Sequence, residues 1–130
     1  MYRRHRRKGY RFMGADVLFL TTIGRRTGER RETAVSWCPD GQDAWLIVAS
    51  AAGKANNPDW YYNIAEHPDQ VWIELPQRRL RVTPEELEGA RRQDAWQRIA
   101  QANPRHAKDQ EKTDRLLPVI RVVAVPETDN

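Results

Sequence analysis

Four arginines crowd one bend in the chain, Thr21-Thr22-Ile23-Gly24-Arg25-Arg26-Thr27-Gly28-Glu29-Arg30-Arg31. Gly24 and Gly28 free the backbone to turn and leave amide N–H groups unshielded, while Thr27 adds a hydroxyl. Guanidinium forks, a hydroxyl and bare N–H groups are what a phosphate or carboxylate needs for charge-assisted, often bidentate, hydrogen bonds. A solvated basic hairpin tip would carry the same residues. The stretch is not a Walker loop, because no strand-to-helix G-x-x-x-x-G-K-[ST] is present. A second stretch, Ser50-Ala51-Ala52-Gly53-Lys54, permits close backbone approach and offers the Ser50 hydroxyl. It runs into a helix start in which Asn57 suits the N-cap, Pro58 the first helical position and Asp59 the positive end of the dipole. A helix N-terminus is a ready anion site. Beside it, Trp60 and Tyr61 offer flat faces to a planar ring, or else belong to the core. Together the two loops and the helix suit a flat heteroaromatic ligand that carries a phosphate.

Acid–base machinery is scarce. His5, His67 and His106 lie far apart, and no Ser-His-Asp, H-E-x-x-H or paired-carboxylate pattern stands out. His67, before Pro68, reads as a helix end. His106, beside Arg105 in a polar segment, is better placed for chemistry or else lies on the surface. With Cys38 as the only cysteine there is no internal disulfide, which fits a reducing cytoplasm, and no Cys/His metal cluster. An anion-lined groove without a catalytic constellation suggests a cofactor that carries the chemistry while the protein binds and orients it.

The elements that must hold these loops follow from periodicity and punctuation. Strands are expected at Asp16–Thr22, Glu32–Cys38 and 44–50, the second and third joined by the turn Pro39-Asp40-Gly41. Residues 44–49 are the most apolar and should sit at the sheet's centre. A short helix spans 58–66 and stops at His67-Pro68-Asp69. Strands at 70–75 and 79–82 flank the turn Pro76-Gln77-Arg78. Thr83-Pro84-Glu85-Glu86 reads as a capping box opening the longest helix, to about Ala102. Asn103-Pro104 ends it, His106–Asp114 forms one or two helical turns, and Pro118–Val125 is the last strand. About six strands and three helices predict a mainly β, α+β fold: an antiparallel barrel or strongly curved sheet with helices capping its ends.

At 130 residues, 39% hydrophobic and 31% charged, the chain suits one soluble domain, residues 15–130, preceded by a basic arm, residues 1–14. No apolar run approaches a membrane span, and no signal peptide is visible. The arm interleaves Arg3, Arg4, Arg6, Arg7, Lys8 and Arg11 with Tyr2, Tyr10, Phe12 and Met13. It could serve peripheral association with an anionic membrane, bind a polyanionic ligand, or only solubilise. Nucleic acid is disfavoured, because aromatics and arginines interleave nowhere else and no recognition motif is present.

The string Leu20-Thr21-Thr22-x-Gly24-Arg25-Arg26-Thr27-Gly28-x-x-Arg31, then Val48-Ala49-Ser50, Asn57-Pro58-x-Trp60-Tyr61-x-Asn63 and Thr113-Asp114-Arg115-x-x-Pro118, resembles the deazaflavin-dependent nitroreductase family. The resemblance implies a split β-barrel related to flavin reductases. It implies reduced deazaflavin coenzyme F420 as hydride donor and a small planar acceptor, quinone-like or nitroaromatic. By position, Arg25, Arg26 and Thr27, with Arg31 and Thr33, would hold the coenzyme's phosphate and acidic tail. Val48, Ala49, Ser50 and Ala51 would line the ring, with Trp60, Tyr61 and Asn63 as the adjacent wall; Ala34, where the family usually has Pro, and Asp59 complete the set. Asn103, His106 and Asp109 stand where nitroreductase members carry tyrosines around the substrate, which makes His106 a candidate proton donor. Ala51-Ala52 replaces the family's Lys-Gly or similar pair. Related barrels bind flavin mononucleotide (FMN) and often dimerise, so FMN is the alternative cofactor, a homodimer is expected by analogy, and a non-catalytic basic binding module is the reading from another class.

Overall fold

A computed structural model describes residues 9–12 and 15–126. Most of the arm expected at residues 1–14 lies outside them. A two-residue strand, β1 (Arg11–Phe12), pairs with the start of β2 (Ala15–Ile23), which is followed by β3 (Arg30–Pro39) and β4 (Ala44–Val48). Then come α1 (Asp59–Glu66), β5 (Trp72–Leu75), β6 (Arg78–Glu86), α2 (Gly89–Ala102), α3 (Pro104–Glu111) and β7 (Val119–Ala124). The sheet runs β1-β2-β3-β4-β7-β6-β5, and β5 pairs back onto β2 with Leu20 opposite Ile73. Six antiparallel strands thus close into a barrel, as expected, and closure removes the open edges a curved sheet would leave.

Alternation along each strand sorts the side chains. Leu18 and Leu20 of β2, Trp45 and Ile47 of β4, Ile73 of β5, Val82 of β6 and Ile120 and Val122 of β7 fill the interior, joined by Trp60 and Ile64 of α1. The opposite face of β4, Leu46 and Val48, packs with Ala95 and Ile99 of α2 and with Leu87, Leu117 and Val119. β4 is therefore buried on both faces, as its unbroken apolar run required.

The expected capping box is not a helix start. Thr83 to Glu86 continue β6 and pair with β7, Pro84 opposite Val122, and α2 begins only at Gly89. Leu87 N–H donates to Val119 and Arg81 C=O accepts from Val125, so odd positions of β6 bond to β7. Even positions face β5, whose first residue, Trp72, lies opposite Arg81; Val82 N–H still donates to Val71 C=O, but no described strand residue lies beyond to meet the donor that Pro84 lacks. Pairing along a long β7 outweighs the local capping signal. The polar segment expected after Asn103-Pro104 is α3, with the Asn103 side chain accepting from Arg105 N–H at 3.2 Å. Among the described residues no helix is long and apolar enough to cross a membrane.

Candidate functional site

The arginine bend closes the β2–β3 hairpin. Gly24 N–H donates to Glu29 C=O and Gly28 N–H to Gly24 C=O, each at 2.8 Å, with Gly28 at φ +75°. A Cβ on Gly24 would stand 2.8 Å from Thr27 Oγ1 and 3.3 Å from Arg31 Nε, so only glycine leaves room for both side chains. The bend is anchored by Asn63 of α1, which is 3% exposed. Its Oδ1 accepts from Arg25 N–H at 3.0 Å and its Nδ2 donates to Thr22 Oγ1 at 3.1 Å. Arg25 lies over the Tyr62 ring at 5.0 Å and 3.7 Å from Asp59, while Arg31 Nη2 reaches Thr27 Oγ1 at 3.4 Å.

Between bend and helix lies a cavity of about 610 Å³. It gathers Arg25, Arg26, Thr27, Arg31, Thr33, Asp59, Trp60 and Asn63 from the expected set, with Thr22, Gly24, Glu32 and Pro58 in addition. Arg30 turns away and stacks 5.4 Å over Trp72. Trp60 is mostly core, 8% exposed within the barrel cluster. Tyr61 does not line this cavity. Its hydroxyl donates to Glu86 Oε1 at 2.7 Å, and that carboxylate pushes the phenol pKa up to about 12. Ala34 is exposed on β3.

The second loop is held by one side chain. Arg115 Nε donates to Lys54 C=O at 2.9 Å, Nη2 to Ser50 C=O at 2.9 Å, and Nη1 to Ala49 C=O and to Asn57 Oδ1. Asn57 is thereby taken from its expected capping role; Pro58 is the N-cap, extended at ψ 157°, with no side-chain cap. Within the loop Ala51, Ala52 and Gly53 are all left-handed, at φ 47°, 56° and 80°. Such a conformation costs about 1–2 kcal/mol at each non-glycine residue, and the two alanines stand where the resemblance expects a glycine-containing pair. Ala49 is fully buried. Gly53 is pressed under α3: a Cβ there would come 2.8 Å from Asp109 O.

The residues expected on the substrate side lie on the outer face of β3 and β4. Val48 joins Asn103 and His106 in lining a cavity of about 340 Å³ under α2 and α3, with Ser36, Trp37 and Cys38 of β3. His106 Nε2 is 2.9 Å from Ser36 Oγ. Burial pulls the imidazole pKa below its ordinary 6.5, against the opposing pull of the Asp109 carboxylate. Asp109 is buried but does not line the cavity; it pairs with Lys112 at 3.6 Å. Ser36 and the role of Arg115 were missed from sequence. Alternation on β3 already put Ser36 on the face of Ala34 and Cys38, which was the available signal. Among the described residues no group of His, Cys, Asp and Glu could hold a metal ion.

The model of the F420H(2)-dependent quinone reductase family matches residues 1–125. The F420H(2)-dependent quinone reductase Rv1261c of Mycobacterium tuberculosis is 37% identical over 121 residues, 88% of this chain and 78% of that protein. A solved F420-H2 dependent reductase, FDR-A, superposes with TM-score 0.73 at 33% identity, covering 82% of this chain and 92% of that one. Another solved chain, described as a domain-swapped dimer, gives TM-score 0.74 at 33% identity, over 82% of this chain and 78% of that one.

Replacing Ala52 by Gly should stabilise by about 1 kcal/mol by relieving the left-handed backbone. Gly53→Ala should cost about 2 kcal/mol, both read by urea denaturation. Because His106 is more acidic when folded, the unfolded chain binds its proton first as pH falls below 6.5. Its contribution is present above that pH and lost beneath it. Denaturation midpoints at pH 7.5 and 5.5 should therefore differ less in His106→Gln than in the wild type.

Proposed function

This chain belongs to the F420H(2)-dependent quinone reductase family, and from that premise we propose that it holds reduced F420 by the arginine bend and passes hydride to a small quinone. The observation that carries the reading is the 610 Å³ cavity in which Arg25, Arg26, Arg31 and Thr27 converge. The family's description names F420, which decides against FMN as the cofactor. The donor set fits: guanidinia and a hydroxyl for a phosphate and carboxylates, and a glycine that clears the space between them. When bound, F420 in its reduced form supplies the hydride; the chain's own residues bind, orient and exclude water.

Arg25 is committed to Asn63, Tyr62 and Asp59, so it shapes the bend and lends charge. Arg26 and Arg31 are exposed at the rim, Arg31 resting on Thr27 Oγ1 at 3.4 Å and 3.7 Å from Glu29, and both would turn onto an anion. Glu32 and Asp59 limit the positive field and favour ligands whose anionic groups sit at defined points. The acceptor side is the cavity of Asn103 and His106, and nitroaromatic acceptors are a narrower extension of the same reading. A homodimer accords with the domain-swapped relative. The basic residues 1–14 would bring the enzyme to anionic membranes, where apolar quinones dissolve.

Fluorescence titration with F420 tests the reading. Arg31→Ala should weaken binding about tenfold or more, or roughly 1.4 kcal/mol, with the rate at saturating coenzyme near wild type. Arg30→Ala, whose guanidinium stacks on Trp72, should change affinity less than twofold. Equal losses in both variants, or a collapsed rate at saturation in Arg31→Ala, would contradict it.

A further inference from the structure

Ser36 is held from two sides on the outer face of β3. His106 Nε2 lies 2.9 Å from its Oγ, and Asn103 Nδ2 donates to the same oxygen at 3.3 Å. The Asn103 amide cannot be turned round, because its Oδ1 is occupied by Arg105 N–H. The imidazole is 6% exposed, and among the described residues its Nδ1 has no hydrogen-bond partner. A neutral ring carries its proton on one nitrogen only. With the proton on Nδ1, an N–H would be buried unpaired, the rarer kind of orphan. With it on Nε2, both Ser36 lone pairs are filled by donors. Among the described residues the hydroxyl hydrogen then has nothing to meet, and Ser36 lines the 340 Å³ cavity. The walls around it are Trp37, Leu46, Val48 and Ile99, with Cys38 beside.

We propose that the Ser36 hydroxyl, held by His106 and Asn103, is the hydrogen-bond donor that seats an oxygen-bearing acceptor in this cavity. The inference rests on the quinone-reductase reading and names the group that selects the acceptor. When hydride adds to a quinone, its electron pair displaces a π pair onto an oxygen, which then takes a proton from solvent. A donor already aimed at that oxygen stabilises the charge as it grows. A site built around such a donor discriminates against acceptors that lack the oxygen, since its own polar group would be left unpaired. His106 and Asn103 are positioning residues here, acting through the serine. The other charges near the ring are Asp109 and Arg105 on α3, and Arg11 and Asp16 border the cavity.

Three measurements test this. Nitrogen NMR of the coenzyme-free wild type should find His106 as the Nε2–H tautomer; the Nδ1–H tautomer overturns the assignment. Calorimetry of coenzyme-free protein with 1,4-naphthoquinone should show at least fivefold weaker binding in Ser36→Ala, and unchanged binding counts against the proposal. In turnover, Ser36→Ala and His106→Phe should lower kcat/KM at least tenfold for 1,4-naphthoquinone. The N-methylphenazinium cation, which takes hydride without an oxygen, should lose less than threefold. Equal losses for both acceptors would mean a structural role only. Failure of F420 to bind the wild type would sink the oxidoreductase reading, while the first two measurements would still decide whether Ser36 seats a quinone.

Discussion

One guanidinium keeps the functional face in register. Arg115 reaches across from the chain after α3 and satisfies three carbonyls and one side-chain amide of the stretch 49–57. Those acceptors would otherwise be loop carbonyls with no ladder partner, and a charged, planar donor of fixed shape suits several at once. With that stretch pinned, α1 starts where it must for Asn63 to reach Thr22 and Arg25. The arginine bend therefore depends on a residue that lies outside its own cavity. The same clamp, with α3 pressing on Gly53, holds two alanines in a backbone conformation they would leave if released.

The four arginines of the bend show how neighbours divide a shared charge. Arg30 is spent on an indole face and Arg25 on an amide, a phenol ring and a carboxylate. Arg26 and Arg31 are exposed, Arg31 held only by Thr27 and Glu29 at the surface, so a ligand would have to order two long side chains when it arrives. Stiff and supple cations in one bend combine a shaped floor with an adaptable rim.

Much of this was legible in the sequence. Glycine punctuation and apolar runs located the β2–β3 hairpin and the doubly buried β4, and the grouping of Arg25, Arg26, Thr27 and Arg31 with Asn63 followed from the motif. The barrel's helices were harder. Thr83-Pro84-Glu85-Glu86 satisfies every local rule for a helix start, yet forms strand because β7 supplies partners far away in the chain. Asn57 failed as a cap for the same kind of reason, since Arg115, distant in sequence, claims its oxygen. Tyr61 looked like a ring wall because it adjoins Trp60, but a helix turns successive residues by about 100°, and that rotation sends it toward Glu86. Ser36 was overlooked because alternation gives its face of the strand but not its partner, which only α3 supplies by laying a histidine over it.

Asn103 joins two jobs that are usually separate. Its oxygen starts α3, and its nitrogen touches Ser36. An aspartate would keep the helix start but accept the Ser36 hydroxyl hydrogen, turning that donor away from the cavity; an alanine would lose both. Evolution at this position is therefore constrained twice, and changes of acceptor preference can proceed more freely through Leu46, Val48 or Ile99, whose side chains bound the cavity without making hydrogen bonds of their own.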